Sequence, residues 1–368
     1  MKNPRDKLII LVLLMIITFA FFATVIFSES ALNLSAKSAV LYEPETKSFV
    51  YSKNPNQRLP MASTTKIMTA LVALENFPCD QYVKIPEQAI GIEGSSLYLK
   101  EGECFTMKDL ITGLMLRSAN DAAVAIAYAV SGSVEDFSAL MNQRATELGL
   151  KDTRFTNPHG LDSPDHYTTA KELAIIASEA LNNSTFKEIV STKKATITNT
   201  DGEARLVINH NKLLGLYDGA IGVKTGFTKK SGRSLVGASE RDGLSFITVT
   251  INAPDDWNDH KKLFDFGYST LLRKNLAKES DLCYNVPVLD SDKEYITVSN
   301  EKSLDIILRK NDGEPELNIS LPKYVAAPIK KGDVIGKAVF TLNGTKIGEL
   351  DLVARDDANK KQRKLFDI

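Results

Sequence analysis

The sequence predicts an α+β fold, in which an antiparallel sheet with a helical subdomain is followed by a small all-β module. Two changes of pattern along the chain predict it. Between about residues 35 and 275, a hairpin pattern is followed by helical periodicity, then by strand-rich segments and a last amphipathic helix. From about residue 279 the chain shows only short alternating strands separated by turn residues. Because helices separate the two groups of strands, we expect a helical insertion between two halves of one sheet.

Composition and charge are those of an ordinary globular protein. The chain has 368 residues, of which 43% are hydrophobic and 25% charged, which is enough for a large core and for two domains. The formal net charge is -1. This balance argues against a nucleic-acid partner, because such proteins need excess basic surface to release the counterions of the phosphates.

The N-terminus has the pattern of a targeting segment. Basic residues precede an apolar stretch without charges at 8–27, and small residues follow at 28–30. The pattern is typical of a signal sequence for export, and its length also suffices to span a bilayer. Residues 1–30 are therefore predicted to be a signal sequence or an N-terminal membrane anchor, and the choice between cleavage and anchoring stays open.

The first elements of the exported part are a hairpin and a series of helices. Apolar runs at 39–44 and 48–53, with a polar turn between them, predict the hairpin. Apolar residues recur at helical spacing from Ile67 to Leu74 and predict a helix over 64–76. The same periodicity predicts further helices over 106–118, 120–132, 134–150 and 168–182.

The second half of the sheet and the all-β module come next. Strands are predicted over 194–200, 219–226, 234–241 and 244–252, and a last helix over 255–273. We expect one domain over 31–275, a C-terminal β-rich domain over 279–354 and a charged, solvated tail over 355–368. Through its basic residues, Leu365 and Phe366, the tail could alternatively lie on a membrane.

Cysteine and histidine give no sign of a metal site. The chain has three cysteines, Cys79, Cys104 and Cys283, so at least one of them is unpaired in an exported chain. Cys79 and Cys104 flank strand-like segments, so a disulfide across a hairpin stays open beside three free thiols. The histidines lack ligand spacing, and the sequence predicts no metal and no cofactor.

A serine and a lysine stand at the start of the apolar helix. Ser63 and Lys66 are three positions apart and share one helix face. The positive end of the helix dipole favours negative charge developing at Ser63, and a desolvated lysine has a lowered pKa and can act as a base. Lys66 is therefore predicted to activate Ser63 as a nucleophile. The same S-x-x-K spacing recurs in polar or strand-like surroundings at Ser184, Ser191, Ser299 and Ser320.

Two further motifs can face the same cleft. Ser118 and Asn120 lie at a break between two apolar helices, where a loop can aim a hydroxyl and an amide inward, although helix capping would also explain them. Lys224 and Thr225 end a strand and can hold a carboxylate, while Gly226 leaves space for a peptide beside the strand. The order S-x-x-K, S-x-N, K-T-G is the signature of β-lactamases and penicillin-binding proteins.

With these motifs and the segments 93–103, 156–174 and 222–239, the sequence resembles the low-molecular-mass penicillin-binding proteins, the serine-type D-alanyl-D-alanine carboxypeptidases. The resemblance covers about 30–275, and the later β-rich part looks like the C-terminal domain of these enzymes. It implies a β-lactamase/DD-peptidase-like catalytic domain. It also implies peptidoglycan stem peptides as substrates, β-lactam antibiotics as inhibitors, and a place at the extracytoplasmic face of the cell membrane or in the cell wall.

The resemblance implies a role for each motif residue. By similarity, Ser63 forms an acyl-enzyme, Lys66 takes its proton, Ser118 relays a proton to the leaving amine, and Asn120 positions the substrate and Lys66. Lys224 and Thr225 would bind the terminal carboxylate beside Gly226, and the N–H groups of Ser63 and Phe227 would form the oxyanion hole.

The sequence departs from the family at two places. Several relatives have a histidine where this chain has Phe227, which is tolerable if only the backbone acts. Some relatives place a carboxylate-binding arginine near the start of the last helix, and 253–262 contains none. The sequence therefore gives no residue for the second contact with the terminal carboxylate of the substrate. His159 and Asp162 match a family motif and are interpreted as structural.

Three other functions remain beside the D,D-carboxypeptidase. A β-lactamase shares the signature, but no glutamate stands out as activating a deacylating water, and those enzymes lack the C-terminal β module. A D,D-endopeptidase cutting cross-links would use the same residues. A non-catalytic wall-binding protein would not need all the motif residues intact.

Overall fold

A computed structural model describes residues 32–361 of the protein. The predicted hairpin is present as the antiparallel strands Ser38–Glu43 (β1) and Ser48–Lys53 (β2), and every residue of β1 is buried. The segment predicted to be a signal sequence or anchor, 1–30, lies outside the described residues, as do the last residues of the predicted tail, 362–368.

The central sheet combines this hairpin with three later strands, Ala220–Thr228 (β7), Gly232–Arg241 (β8) and Leu244–Ile251 (β9). The five strands are all antiparallel and lie in the order β2-β1-β9-β8-β7. Because β1 pairs with β9, the two ends of this part of the chain meet in one sheet and the helices are inserted between them. The predicted antiparallel sheet with a helical insertion is confirmed, and β7 forms one edge of the sheet.

Helices cover both faces of this sheet. In chain order the helices of the described residues are Lys66–Asn76 (α1), Met107–Leu116 (α2), Asn120–Ser131 (α3), Val134–Glu147 (α4), Ala170–Leu181 (α5), Ser184–Ser191 (α6), Leu213–Leu216 (α7) and Asp256–Thr270 (α8). Helices α5 and α8 both contact the buried strands β1 and β9. Side-chain caps fix four of these N-termini, since Thr106, Ser133, Thr169 and Asn183 each accept from the backbone N–H three residues later.

Two small hairpins lie beside the helices. They pair Tyr82–Lys84 (β3) with Cys104–Thr106 (β4), and Lys194–Thr198 (β5) with Ala204–Ile208 (β6). The disulfide that the sequence left open is not formed, because Cys79 and Cys104 are free. Cys104 pairs with Lys84 in the hairpin, whereas the carbonyl of Cys79 accepts from the backbone N–H of Lys108 at 2.9 Å, so the two cysteines do not lie opposite each other.

The C-terminal part is all-β, as predicted. Its strands are Leu271–Ala277 (β10), Cys283–Leu289 (β11), Tyr295–Ser299 (β12), Leu304–Arg309 (β13), Glu316–Ser320 (β14), Val325–Ala326 (β15), Val334–Leu342 (β16) and Thr345–Ala354 (β17). Six of them form a sheet in the order β14-β16-β17-β12-β11-β15, and β10 pairs with β13. The last helix was predicted to reach residue 273, but it ends at Thr270 and the chain continues directly as β10.

The two parts have separate apolar cores. Val40, Ile67, Leu110 and Val249 belong to the core around the five-stranded sheet, while Val298 belongs to the core of the six-stranded sheet. In residues 32–361, no helix taken singly has the length and hydropathy of a membrane span; α3 and α4 pass that test only as a pair bent by 82°.

Candidate active site

Lys66 is the centre of the site and its side chain is fully buried. Its Nζ lies 3.0 Å from Ser63 Oγ, 2.7 Å from Asn120 Oδ1 and 2.5 Å from the carbonyl oxygen of His159. The structure therefore brings the serine and lysine of the first motif and the asparagine of the second into direct contact. The third partner of the Lys66 amine is thus a backbone carbonyl, in the loop around His159.

The electrostatic surroundings of Lys66 favour its neutral form. Burial lowers its pKa well below the usual range, and the positive charge of Lys224 acts in the same direction, while Asp121 opposes both. A neutral amine has a lone pair. At 3.0 Å from Ser63 Oγ, it is placed to accept the proton of the hydroxyl.

Ser63 lies on a tight turn that precedes α1. Residues Ala62–Thr65 form a 3-10 turn, and the α-helix begins only at Lys66, two residues after the predicted start. Ala62 has a φ of 46°, in the left-handed region that non-glycine residues seldom adopt. The half-buried Ser63 is thereby exposed to the cleft at the positive end of the helix dipole.

The second motif forms the break between α2 and α3. Ser118 has a φ of 62°, and its side chain lines the cleft. Asn120 is the first residue of α3, its Nδ2 donates to the carbonyl of Glu93 at 2.5 Å, and its backbone N–H donates to that of Ser95 at 2.7 Å. No side chain caps this helix, so the capping interpretation of Ser118 and Asn120 is wrong.

The third motif lies on the edge strand β7. Lys224 is 1% exposed, burial lowers its pKa to about 7, and its Nζ donates to the carbonyl of Thr225 at 3.1 Å. A Cβ on Gly226 would lie 3.2 Å from the backbone nitrogen of Ser63, so glycine lets the strand pack against the turn. Thr225, Gly226 and Phe227 all line the cleft, and Phe227 is largely exposed.

The three motifs surround one cleft of about 590 Å³. Besides the predicted residues, its walls contain several that sequence reasoning missed: Ser95, Asn209, His210, Lys212, Arg233, Asp256 and Trp257. Within residues 32–361, no cluster of three or more histidine, cysteine, aspartate or glutamate side chains could hold a metal ion.

Arg233 is the most informative of the missed residues. It lies opposite Phe227 in the pairing of β7 with β8, and its Nη2 is 2.8 Å from Asp256 Oδ1 at the start of α8. Its guanidinium also lies over the ring of Trp257, at 5.7 Å from the centroid. Counting across the short turn after the K-T-G strand would have placed this arginine beside the motif.

His159 and Asp162 take no direct part through their side chains. The His159 ring accepts from the backbone N–H of Leu161 at 3.2 Å, and burial lowers its pKa to about 3. Asp162 is exposed. Only the carbonyl of His159 contacts the site, through Lys66, as described above.

Comparisons with known proteins agree with this geometry. A sequence family described as D-alanyl-D-alanine carboxypeptidase matches residues 25–255, and one described as penicillin-binding protein 5, C-terminal domain, matches residues 272–360. The chain is 33% identical over 341 residues to D-alanyl-D-alanine carboxypeptidase DacF of Bacillus subtilis, with 90% of this chain and 88% of that one covered.

Solved structures agree in the same way. Penicillin-binding protein 5 of Haemophilus influenzae superposes with a TM-score of 0.66 at 29% identity, over 89% of this chain and 98% of that chain. The D-alanyl-D-alanine carboxypeptidase DacD of Francisella tularensis gives a TM-score of 0.66 at 26% identity, over 92% and 97%. The fold class and the family resemblance predicted from the motifs are confirmed.

Proposed function

Because this chain belongs to the D-alanyl-D-alanine carboxypeptidase family, we propose that it removes the C-terminal D-alanine of peptidoglycan stem pentapeptides through an acyl-enzyme on Ser63. The contact between Ser63 Oγ and the buried Nζ of Lys66 carries the proposal. Removal of this residue takes away the donor peptide bond for cross-linking, so the enzyme limits cross-linking of the wall.

Acylation begins at the Ser63 hydroxyl. The neutral Lys66 takes its proton while Oγ attacks the carbonyl carbon between the two D-alanines. Negative charge then develops on the carbonyl oxygen, where the N–H groups of Ser63 and Phe227 form the oxyanion hole. A preorganised donor of this kind contributes about 3 kcal/mol to transition-state stabilisation.

The leaving amine needs a proton before the bond breaks. Ser118 relays a proton to it from the protonated Lys66, and free D-alanine departs. Water then attacks the ester, Lys66 accepts the proton of that water, and the shortened peptide leaves as Ser63 Oγ regains a proton. Asn120 positions the Lys66 amine, since its side-chain oxygen contacts Nζ, and it also positions the substrate.

The terminal carboxylate of the substrate needs cationic partners in the cleft. Lys224 and Thr225 are the motif residues for this contact. With a pKa lowered to about 7, Lys224 is only partly charged at neutral pH, whereas an arginine is always charged. Arg233 therefore supplies the second contact, in place of the arginine absent from 253–262. Arg233 lines the cleft and lies opposite Phe227 in the pairing of β7 with β8, so its side chain is close to the K-T-G strand.

The same site would also react with β-lactam antibiotics, and the place of its substrate bears on where the enzyme acts. β-Lactams resemble the acyl-D-Ala-D-Ala terminus and would acylate Ser63, from which they are lost slowly. We further propose that residues 1–30 direct export, with or without cleavage. The enzyme then acts at the extracytoplasmic face of the membrane or in the wall, where its substrate lies.

The test is the intact mass of the exported chain before and after penicillin, followed by incubation with a stem pentapeptide ending in D-Ala-D-Ala. One drug-sized adduct that is absent from Ser63→Ala, together with release of D-alanine, is the expected result. Rapid loss of the adduct would instead indicate a β-lactamase, and an adduct without D-alanine release from the monomeric peptide would indicate an endopeptidase. No adduct would contradict the proposal.

A further inference from the structure

The peptide bond between Ala62 and Ser63 has an unusual environment. Its N–H belongs to Ser63, and its carbonyl oxygen, on Ala62, accepts from Thr65 Oγ1 at 2.8 Å. Gly160 packs against the same carbonyl, because a Cβ there would lie 2.0 Å from the oxygen. This peptide group is therefore held from its carbonyl side by groups that have no contact with the cleft.

His166 extends this contact by one more hydrogen bond. The backbone N–H of Thr156 donates to His166 Nδ1 at 3.0 Å, so Nδ1 is an acceptor and the proton of the ring is on Nε2. Nε2 lies 2.7 Å from Thr65 Oγ1 and donates to it, which leaves the threonine hydroxyl to donate to Ala62. The hydrogen bonds thus run in one direction, from His166 through Thr65 to the carbonyl of Ala62.

The ring of His166 keeps this tautomer at neutral pH. It is 3% exposed, and burial lowers its pKa to about 4. A protonated ring would lose the acceptor that Thr156 uses. A neutral ring is therefore required by the geometry and is favoured by the surroundings.

We propose that His166 and Thr65 are positioning residues that orient and strengthen the Ser63 N–H as an oxyanion-hole donor. The carbonyl of Ala62 and the N–H of Ser63 belong to one planar peptide group, so fixing the first fixes the second. Hydrogen bonds in a chain also polarise one another, and a donor to the carbonyl makes the N–H of the same peptide a better donor. The inference rests on the proposed acyl-enzyme on Ser63.

Two neighbouring threonines provide a matched test. Thr65→Val removes the hydroxyl that contacts the Ser63 peptide. Thr64→Val is the control, because Thr64 is equally buried on the same turn and its hydroxyl donates to the carbonyl of Met61 instead, at 2.6 Å. The measurements are the rate constant of acylation by penicillin and the infrared frequency of the acyl-enzyme carbonyl, which falls as oxyanion-hole hydrogen bonds strengthen.

We expect Thr65→Val to slow acylation about tenfold and to raise the carbonyl frequency, because the oxyanion hole loses part of a donor's strength. Thr64→Val should change neither quantity. If the two valine variants acylate equally fast and give the same carbonyl frequency as the unsubstituted protein, the inference is wrong. If the unsubstituted protein is not acylated at all, the proposed function itself fails, so the two failures are distinguishable.

His166 gives an independent second test. In His166→Gln, the amide can still donate to Thr65 and accept from Thr156, whereas His166→Leu can do neither. We expect the leucine variant to reproduce the slow acylation and raised frequency of Thr65→Val, and the glutamine variant to restore most of both. Equal behaviour of the two His166 variants at equal thermal stability would overturn the inference.

Discussion

Lys66 and Lys224 are fully buried, and neither has an ion-pair partner within residues 32–361. The nearby carboxylate of Asp121 is taken up by Ser96 and by the backbone N–H groups of Leu97 and Leu99. Burying an unpaired cation costs stability, and proteins retain such groups where the lowered pKa is needed for chemistry. The burial of the two lysines is therefore what we expect of groups that act in a reaction.

This burial predicts a pH dependence of stability. The pKa of Lys224 is lowered from 10.5 to about 7, so between these values the unfolded chain binds more protons than the folded chain. The free energy of unfolding should therefore rise with pH above about 7, by up to about 1.4 kcal/mol per pH unit for this group. Urea unfolding at several pH values measures the slope. Lys224→Met should reduce the slope by up to that amount and leave the part due to the buried Lys66. The half-exposed Lys108→Met should not change it; an unchanged slope in Lys224→Met would contradict the lowered pKa of Lys224.

Arg233 predicts a specific loss of carboxylate recognition. A charge-assisted hydrogen bond contributes about 1.5–3 kcal/mol, so Arg233→Gln should lower kcat/KM on D-Ala-D-Ala peptides about 10- to 100-fold. The control substrate is the same peptide with a C-terminal amide, on which the variant should act as well as the unsubstituted enzyme. The control variant is Arg241→Gln, whose guanidinium stacks on Tyr268 at 4.1 Å rather than lining the cleft. Equal losses on acid and amide would show that Arg233 does not bind the carboxylate.

Single residues also mark the limit of sequence reasoning at this scale. Ser63, Lys66 and Asn120 could be predicted to lie together because their motifs have fixed spacings, and the structure brings them into contact. Arg233 was missed, although hairpin register places it opposite Phe227. The contact of His166 with Thr65 joins residues 101 positions apart, and no local sequence pattern predicts it.

At the scale of elements, the site depends on how closely the loop at 156–161 and the edge strand approach the turn before α1. Thr69 in α1 donates to the carbonyl of Pro158 at 2.6 Å, Lys66 donates to the next carbonyl, and Gly160 packs on Ala62. The loop itself is closed by Asn157, whose Oδ1 accepts from the backbone N–H of Gly160 at 2.7 Å. One short segment therefore sets the position of both Lys66 and the turn that carries Ser63.

Gly160→Ala tests this close approach. The added Cβ would meet the carbonyl oxygen of Ala62 at 2.0 Å, and the φ of 90° adds backbone strain. We expect thermal unfolding to show a loss of about 3 kcal/mol, beyond the range of ordinary surface changes. Gly132→Ala is the control, since its φ of 81° is similar but nothing lies within 4 Å of the new Cβ. It should cost about 1 kcal/mol, from strain alone; equal losses would mean that the loop does not press on the turn.

The element boundaries could largely be predicted because caps and periodicity are local. The helices with Thr106, Ser133 and Thr169 at their N-caps begin within two residues of the predicted positions. Helix α6 was missed because its eight residues are fewer than the periodicity window needs. Strand β6 was missed because its five residues, Ala204–Ile208, do not alternate regularly between apolar and polar, and no buried run marks it.

At the scale of the whole molecule, the change of pattern near residue 279 predicted the second, all-β part but not how the parts are joined. Strand β10 continues α8 without a loop and pairs with β13, and Lys310 donates to the carbonyl of Tyr268 in α8 at 2.9 Å. The parallel pairing of β11 with β15 could not be predicted either, because strand order depends on contacts between residues distant in sequence.

The separate cores predict separate unfolding transitions in the intact chain. A group bound to one part stabilises that part, so acylation of Ser63 by penicillin should raise the midpoint of one calorimetric transition and leave the other unchanged. Val298→Ala is the complementary change, because this fully buried residue belongs to the core of the six-stranded sheet; it should lower only the other midpoint. A single transition that shifts as a whole in both experiments would mean that the junction of α8, β10 and β13 couples the two cores. In that case the all-β part would contribute directly to the stability of the catalytic cleft, and a substitution in its core would slow acylation only near the unfolding temperature.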